Sequence, residues 1–114
     1  MRKTPKEALT DILGYINDIE SFTRDLEYDD FKNQKQKHYS VLYALLVIGE
    51  AVKSVPEPFR SNYREIPWKE IAGMRDVMIH DYIGIDLDIV WKTCRESLPS
   101  LKLQIERILE ELDS

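Results

Sequence analysis

Apolar residues recur at intervals of three and four along almost the whole chain, and no stretch alternates with period two beside hairpin turn signals. That period predicts amphipathic helices throughout and leaves no place for a sheet. The first helix is announced by Thr4 as N-cap, Pro5 at the first helical position and Glu7 three residues after the cap. Its stripe runs Leu9, Ile12, Leu13, Ile16, Ile19, Phe22 and Leu26. Asp29 or Asp30 is placed to cap a second helix with the stripe Phe31, His38, Leu42, Leu45, Ile48 and Val52. Between Val41 and Ile48 this helix is apolar nearly all round, so it is either the central helix of a bundle or part of a dimer interface.

The segment Ser54-Val55-Pro56-Glu57-Pro58 stops that helix, because proline removes donors and restricts the residue before it. After a short turn Pro67 opens a third helix, with Ile71, Met74 and Met78 expected inward and Gly84 breaking it or following its end. Asp86 reads as the next N-cap, followed by the stripe Leu87, Val90, Trp91, Cys94 and Leu98. Pro99 kinks or restarts the chain, and Leu101, Ile105, Ile108 and Leu112 carry an apolar face onward. The expected fold is all-α, an up-and-down bundle of four long helices with a short extra one, forming a single domain over residues 1–114.

Such a length supports one hydrophobic core without disulfides or a structural metal. One cysteine, Cys94, and two histidines are too few for a His/Cys zinc cage, and the lone thiol fits a reducing compartment. The longest near-continuous apolar run, Val41 to Ile48, falls far short of the roughly 20 residues that span a bilayer. The N-terminus turns charged and helical where a signal peptide needs an apolar stretch, so a cytoplasmic location is expected. The net charge of −5 argues mildly against nucleic-acid binding, but it is unevenly spread. Residues 32–75 hold eight basic side chains against four acidic, while both flanks are acidic. A basic centre suits a polyanionic partner, and chance clustering on a solvated face is the competing explanation.

The chemistry concentrates in Arg75-Asp76-Val77-Met78-Ile79-His80-Asp81-Tyr82. A neutral imidazole can take the proton of an RNA 2′-hydroxyl, and a guanidinium can hold the phosphate through paired hydrogen bonds. Around an unbroken helix Arg75 and Tyr82 lie about 20° apart, but Arg75 and His80 lie about 140° apart. Both could reach one target if the helix ended near Ile79, or if a second copy brought its own motif across a two-fold axis. Arginine and histidine near a helix end are otherwise commonly solvated or bound to the terminal carbonyls.

The stretches Ile48-Gly49-Glu50-Ala51-Val52-Lys53, Ile66-Pro67-Trp68-Lys69-Glu70-Ile71-Ala72-Gly73-Met74-Arg75-Asp76 and Asp86-Leu87-Asp88-Ile89-Val90-Trp91 resemble the HepT-like family of HEPN-domain proteins. The family's hallmark is arginine, four residues, histidine, one residue, tyrosine, which Arg75, His80 and Tyr82 meet. Asp76 supplies the polar residue common after the arginine. The resemblance covers about residues 40 to 100. It implies a homodimeric, metal-independent endoribonuclease, the toxin of a toxin–antitoxin pair, with the Arg75 and His80 of both copies lining one cleft. It further implies a minimal nucleotidyltransferase antitoxin that transfers AMP from ATP onto Tyr82. Arg75 would contact phosphate, His80 would be the base and Asp76 would support them. RNA is the implied substrate; neither DNA, membrane nor a cofactor is expected. The rival reading is a helical docking module that binds the nucleotidyltransferase and has no catalysis of its own.

Other residues have candidate roles beside plainer ones. Lys35, Lys37, Arg60 and Arg64 are candidates for RNA backbone contacts, against an ordinary solvated face. Glu50 follows an apolar run and could pair with Arg75, against a simple surface glutamate. His38 falls on an apolar stripe and reads as structural or interfacial. Trp68 and Trp91 read as packing rather than base stacking; Asp81, Asp86 and Asp88 could suggest an oxygen-ligand metal site, but Asp86 and Asp88 read more simply as helix-start residues.

Overall fold

Thr4 does cap the first helix: its hydroxyl oxygen accepts the Glu7 amide at 3.1 Å, and Pro5 occupies the first turn. Such a cap contributes about 1 kcal/mol. The computed structural model describes residues 3–80 and 86–114, with residues 76–80 described by their backbone alone. Helix α1 spans Pro5–Thr23, α2 Tyr28–Asn33, α3 Lys35–Lys53, α4 Glu57–Ser61, α5 Trp68–His80, α6 Leu87–Lys92 and α7 Leu98–Asp113. Every regular element among the described residues is helical, and no described helix is long and apolar enough to cross a membrane.

The expected second helix is two helices. Its cap is not Asp29 or Asp30 but Glu27, whose side chain takes the amide of Asp30 while Asp30 reaches back to the amide of Glu27. The chain then turns at Gln34, which leaves helical geometry (φ −104°, ψ 96°) before α3 begins. That turn lets Phe31 pack fully buried beneath His38, whose Nδ1–H donates to the Phe31 carbonyl at 3.1 Å. The structural reading of His38 therefore holds. A single straight helix has no such return contact available. A short helix, α4, follows the stop, with Pro58 in its first turn.

Helix directions follow from cross-links between side chains. Lys6 pairs with Asp113 and Lys102 with Glu20, so α1 and α7 run antiparallel. A hollow between α1 and α3 is lined by Lys3, Asp11 and Tyr15 from the start of α1 and by Val47, Glu50 and Ser54 from the end of α3, so these two also run antiparallel. Helix α5 starts beside α4, near the end of α3, and runs back along it. The core between them contains Leu9, Ile12, Ile16, Leu45, Ile48 and Ile105, each at most 1% exposed. Each such side chain contributes about 1.5–3 kcal/mol. Helix α3 touches α1, α2 and α5, which makes it the central helix.

Helix α6 does not stop before α7. A π-helical turn, Thr93–Ser97, joins them, and Pro99, which has no N–H to donate, follows that turn directly at the start of α7. The turn carries Arg95, whose Nη2 donates to the carbonyls of Thr23 and Leu26, both at 2.7 Å. Those carbonyls close the end of α1, where orphan acceptors and the helix dipole favour a cation. The Arg95 guanidinium also lies 4.3 Å from the centre of the Trp91 ring, which packs on Phe31 at 5.0 Å. Trp91 is thus a packing residue, as is Trp68, whose indole N–H donates to the Tyr63 carbonyl at 3.0 Å. Asp86 caps α6 by accepting the Asp88 amide at 2.9 Å.

Cys94 lies in the same turn, and burial pushes its thiol up to about 12 from an ordinary value near 9.0. The folded protein should therefore resist Ellman's reagent at pH 8 and react fully once denatured. The same shift ties stability to pH: it is intact below the ordinary thiol range and lost as pH climbs toward about 12, because only the unfolded chain ionises readily. Rapid labelling of the native protein would show that this turn opens.

Candidate active site

The site begins with a missing side chain. A Cβ placed on Gly49 would stand 2.9 Å from the Arg75 Cβ, 3.1 Å from the Arg75 amide nitrogen and 3.2 Å from the Ile71 carbonyl oxygen. Two of those three atoms are backbone, so α3 and α5 can approach this closely only over glycine. The next residue, Glu50, then meets Arg75 directly: its Oε2 accepts from Nε at 3.0 Å. The Glu50 side chain is 52% exposed and that of Arg75 35%. An ion pair this open to solvent contributes only about 0.2–1 kcal/mol, so its effect is on the direction of the guanidinium rather than on stability. Glu50 is therefore both exposed and paired.

A guanidinium held through Nε on the seam between two helices has a set orientation, and its planar N–H fork has the geometry to match phosphate oxygens. Helix α5 continues from Arg75 through Asp76 to His80, its last residue. The side chains of Asp76, Met78 and His80, and the whole of Asp81, Tyr82 and Gly84, lie outside the described residues. Because α5 is helical as far as His80, backbone positions 75 and 80 stand about 140° apart around its axis. The helix reaches His80, one residue beyond Ile79.

The four basic candidates separate. Lys35 is exposed in the first turn of α3, on the ridge that leads to Glu50. Lys37, two residues on, falls on the other side of that helix and is only half-buried. Arg60 and Arg64 lie beyond the other end of α3 from Lys35, around a hollow that also holds Glu57, Trp68 and Glu70. Arg60 is paired with Glu57 at 3.3 Å and is largely covered. Lys35 therefore stands about 22 Å along α3 from Glu50, and Arg60 and Arg64 lie beside the start of α5, the helix that carries Arg75.

Two features had no place in the sequence reading of the site. Gly49 lay within the quoted stretch, but its role in close approach needs the partner helix to be visible. Tyr39 and Tyr43 project from α3 with 60% and 63% of their surface exposed. Their spacing of four was the available signal.

Residues 12–108 match the family described as "Ribonuclease HepT-like". The chain belongs to the HepT-like ribonuclease family. It is similar to a protein of Methanocaldococcus jannaschii named "Putative RNase", 46% identical over 108 residues that cover 95% of this chain and 93% of that protein. It is 44% identical to a Thermococcus cleftensis protein named "Probable ribonuclease HepT", over 95% of this chain and 98% of the relative. A protein of Caldanaerobacter subterraneus, also named "Putative RNase", is 37% identical over 96% of this chain and 97% of its own length. No solved structure matches. The HepT-like match spans α1 to α7, so both the glycine seam and the Arg75 helix fall inside it.

Proposed function

We propose that this HepT-like chain, acting as one domain, is a homodimeric endoribonuclease that needs no metal ion. The observation that carries the reading is the Glu50–Arg75 pair: a family of ribonucleases, and within it an arginine oriented over the glycine seam on the helix that ends in His80. In this reading Arg75 holds the scissile phosphate and offsets charge building on its non-bridging oxygens. Neutral His80 takes the proton of the 2′-hydroxyl, whose oxygen attacks phosphorus. The bond to the 5′-oxygen breaks as that oxygen takes a proton from water, leaving a 2′,3′-cyclic phosphate and a 5′-hydroxyl. The wide angle between positions 75 and 80 supports a cleft shared by two copies, in which one chain's Arg75 works with the other's His80.

The same reading makes the protein the toxin of a toxin–antitoxin pair in the cytoplasm. A minimal nucleotidyltransferase would transfer AMP from ATP to Tyr82, releasing pyrophosphate. The phosphodiester adds about one negative charge and considerable bulk close to the phosphate-binding arginine, so it would repel RNA and occupy its place. Asp76 would support the arginine as its neighbour on the helix.

The test uses full-length protein whose intact mass shows Tyr82 unmodified, incubated with total RNA in EDTA. Cleavage leaving cyclic-phosphate ends, abolished by a 2′-deoxy substitution at the scissile nucleotide, is the expected result. Absence of cleavage across several RNA classes would overturn it in favour of a docking module for the nucleotidyltransferase. Co-expression with the antitoxin should relieve growth arrest and increase the toxin's mass by whole AMP units.

A further inference from the structure

We infer that Tyr39 and Tyr43 form a base-stacking track that holds the RNA strand next to the phosphate bound at Arg75. The inference rests on the ribonuclease reading for its substrate class and adds the surface that takes the bases. Along α3, positions 39, 43 and 50 lie within about 40° of one another around the axis, with Glu50 about 10 Å from position 43 and about 16 Å from position 39. Lys35 stands one turn before Tyr39 on the same ridge and is exposed. One straight ridge thus presents, in order, a cation, two aromatic rings and the carboxylate that holds Arg75.

This order suits a single nucleic-acid strand, whose phosphates meet the cations at either end and whose bases meet the rings between. The Tyr39 ring is fixed by a T-shaped contact with buried His38, centroids 4.8 Å apart, which in turn is hydrogen-bonded to the Phe31 carbonyl. A ring held that way is pre-ordered for stacking, so less rotamer freedom is lost on binding. A second copy of the chain fits the ridge less well. Two tyrosines bury at most a few hundred Å², against roughly 800 Å² per partner in a stable interface. Charged Lys35, Glu50 and Lys53 also interrupt any apolar continuity along the ridge.

The experiment measures binding rather than cleavage. A fluorescein-labelled 12-nucleotide 2′-O-methyl RNA without self-complementarity resists 2′-hydroxyl chemistry and can be titrated by anisotropy with the intact, unmodified protein. The Tyr39→Ala/Tyr43→Ala double variant should bind at least about tenfold more weakly, with the same slope of log affinity on log salt, because stacking releases no counterions. Tyr39→Phe/Tyr43→Phe should bind like the wild type, since the ring and not the hydroxyl does the stacking. Lys35→Ala should instead flatten the salt slope. A loss below twofold, a Phe variant as weak as the Ala variant, or no binding by the wild type would overturn the track. So would conversion of a wild-type dimer to monomer by the Ala variant, seen in light scattering, which would make this ridge the contact between copies. Tyrosine-dependent binding by a protein that cleaves nothing would leave the track standing and remove the ribonuclease reading; cleavage with tyrosine-independent binding would do the reverse.

Discussion

His80→Ala should lower kcat/KM on single-stranded RNA by about 10²–10⁴-fold, the usual contribution of a general base in proton transfer. Arg75→Ala should cost about 10²–10³-fold, the scale seen when one stabiliser of developing charge is removed. The two losses should differ in kind. The imidazole acts as base only when neutral, so wild-type cleavage should fall on the acid side of the ordinary imidazole range, and that limb should vanish in His80→Ala. Arg75→Lys keeps the charge but not the planar fork, so it should recover only part of the rate. Glu50 separates positioning from chemistry, because it touches Arg75 and no reacting atom. Glu50→Gln retains an oxygen for the Arg75 Nε–H and should stay within a few-fold of wild type, whereas Glu50→Ala should lose more. Rapid RNA cleavage by folded, dimeric His80→Ala and Arg75→Ala proteins would remove these residues from the mechanism.

Gly49→Ala is the second large effect expected, and it tests the seam rather than the chemistry. In most helices alanine is favoured over glycine by about 1 kcal/mol. Here the added methyl would sit against the backbone nitrogen of Arg75 and the carbonyl of Ile71, which cannot move without α5 moving. Overpacking of this kind costs about 1–3 kcal/mol. The displacement falls on Arg75, the residue proposed to hold the phosphate, and a shift near 1 Å at such a site can cost about 10²-fold in rate. The expected outcome is a folded protein with activity reduced far more than its melting temperature. Gly14→Ala supplies the contrast: a Cβ there meets nothing within 4 Å, so the propensity gain should appear as added stability. A Gly49→Ala protein that gains stability and keeps full activity would show that the helices have room to part.

Much of the fold was legible because it depends on local rules. The capping of α1 by Thr4, the stop after Lys53, the start of α5 after Pro67 and the Asp86 cap each rest on a few adjacent residues. The break at Gln34 was hidden because the apolar spacing continues across it; it is set by the docking of Phe31 under His38, a contact that exists only once both helices form. Arg95 carried no signal either. Its partners are the carbonyls of Thr23 and Leu26, about 70 residues earlier in the chain, and backbone carbonyls are the same in every sequence.

The site divides along the same line. By itself the sequence determined that the chain is helical, that it resembles HepT-like proteins, and that an arginine, a histidine and a tyrosine stand at positions 75, 80 and 82, because residue type and spacing are properties of one segment. Tertiary structure decided that Glu50 orients Arg75, that Gly49 is needed for it to do so, and that Tyr39 and Tyr43 remain in solvent on the ridge leading there. Those facts depend on how closely α3 and α5 approach and on which face of α3 its neighbours leave uncovered. Both are set by packing between segments, which no single segment encodes.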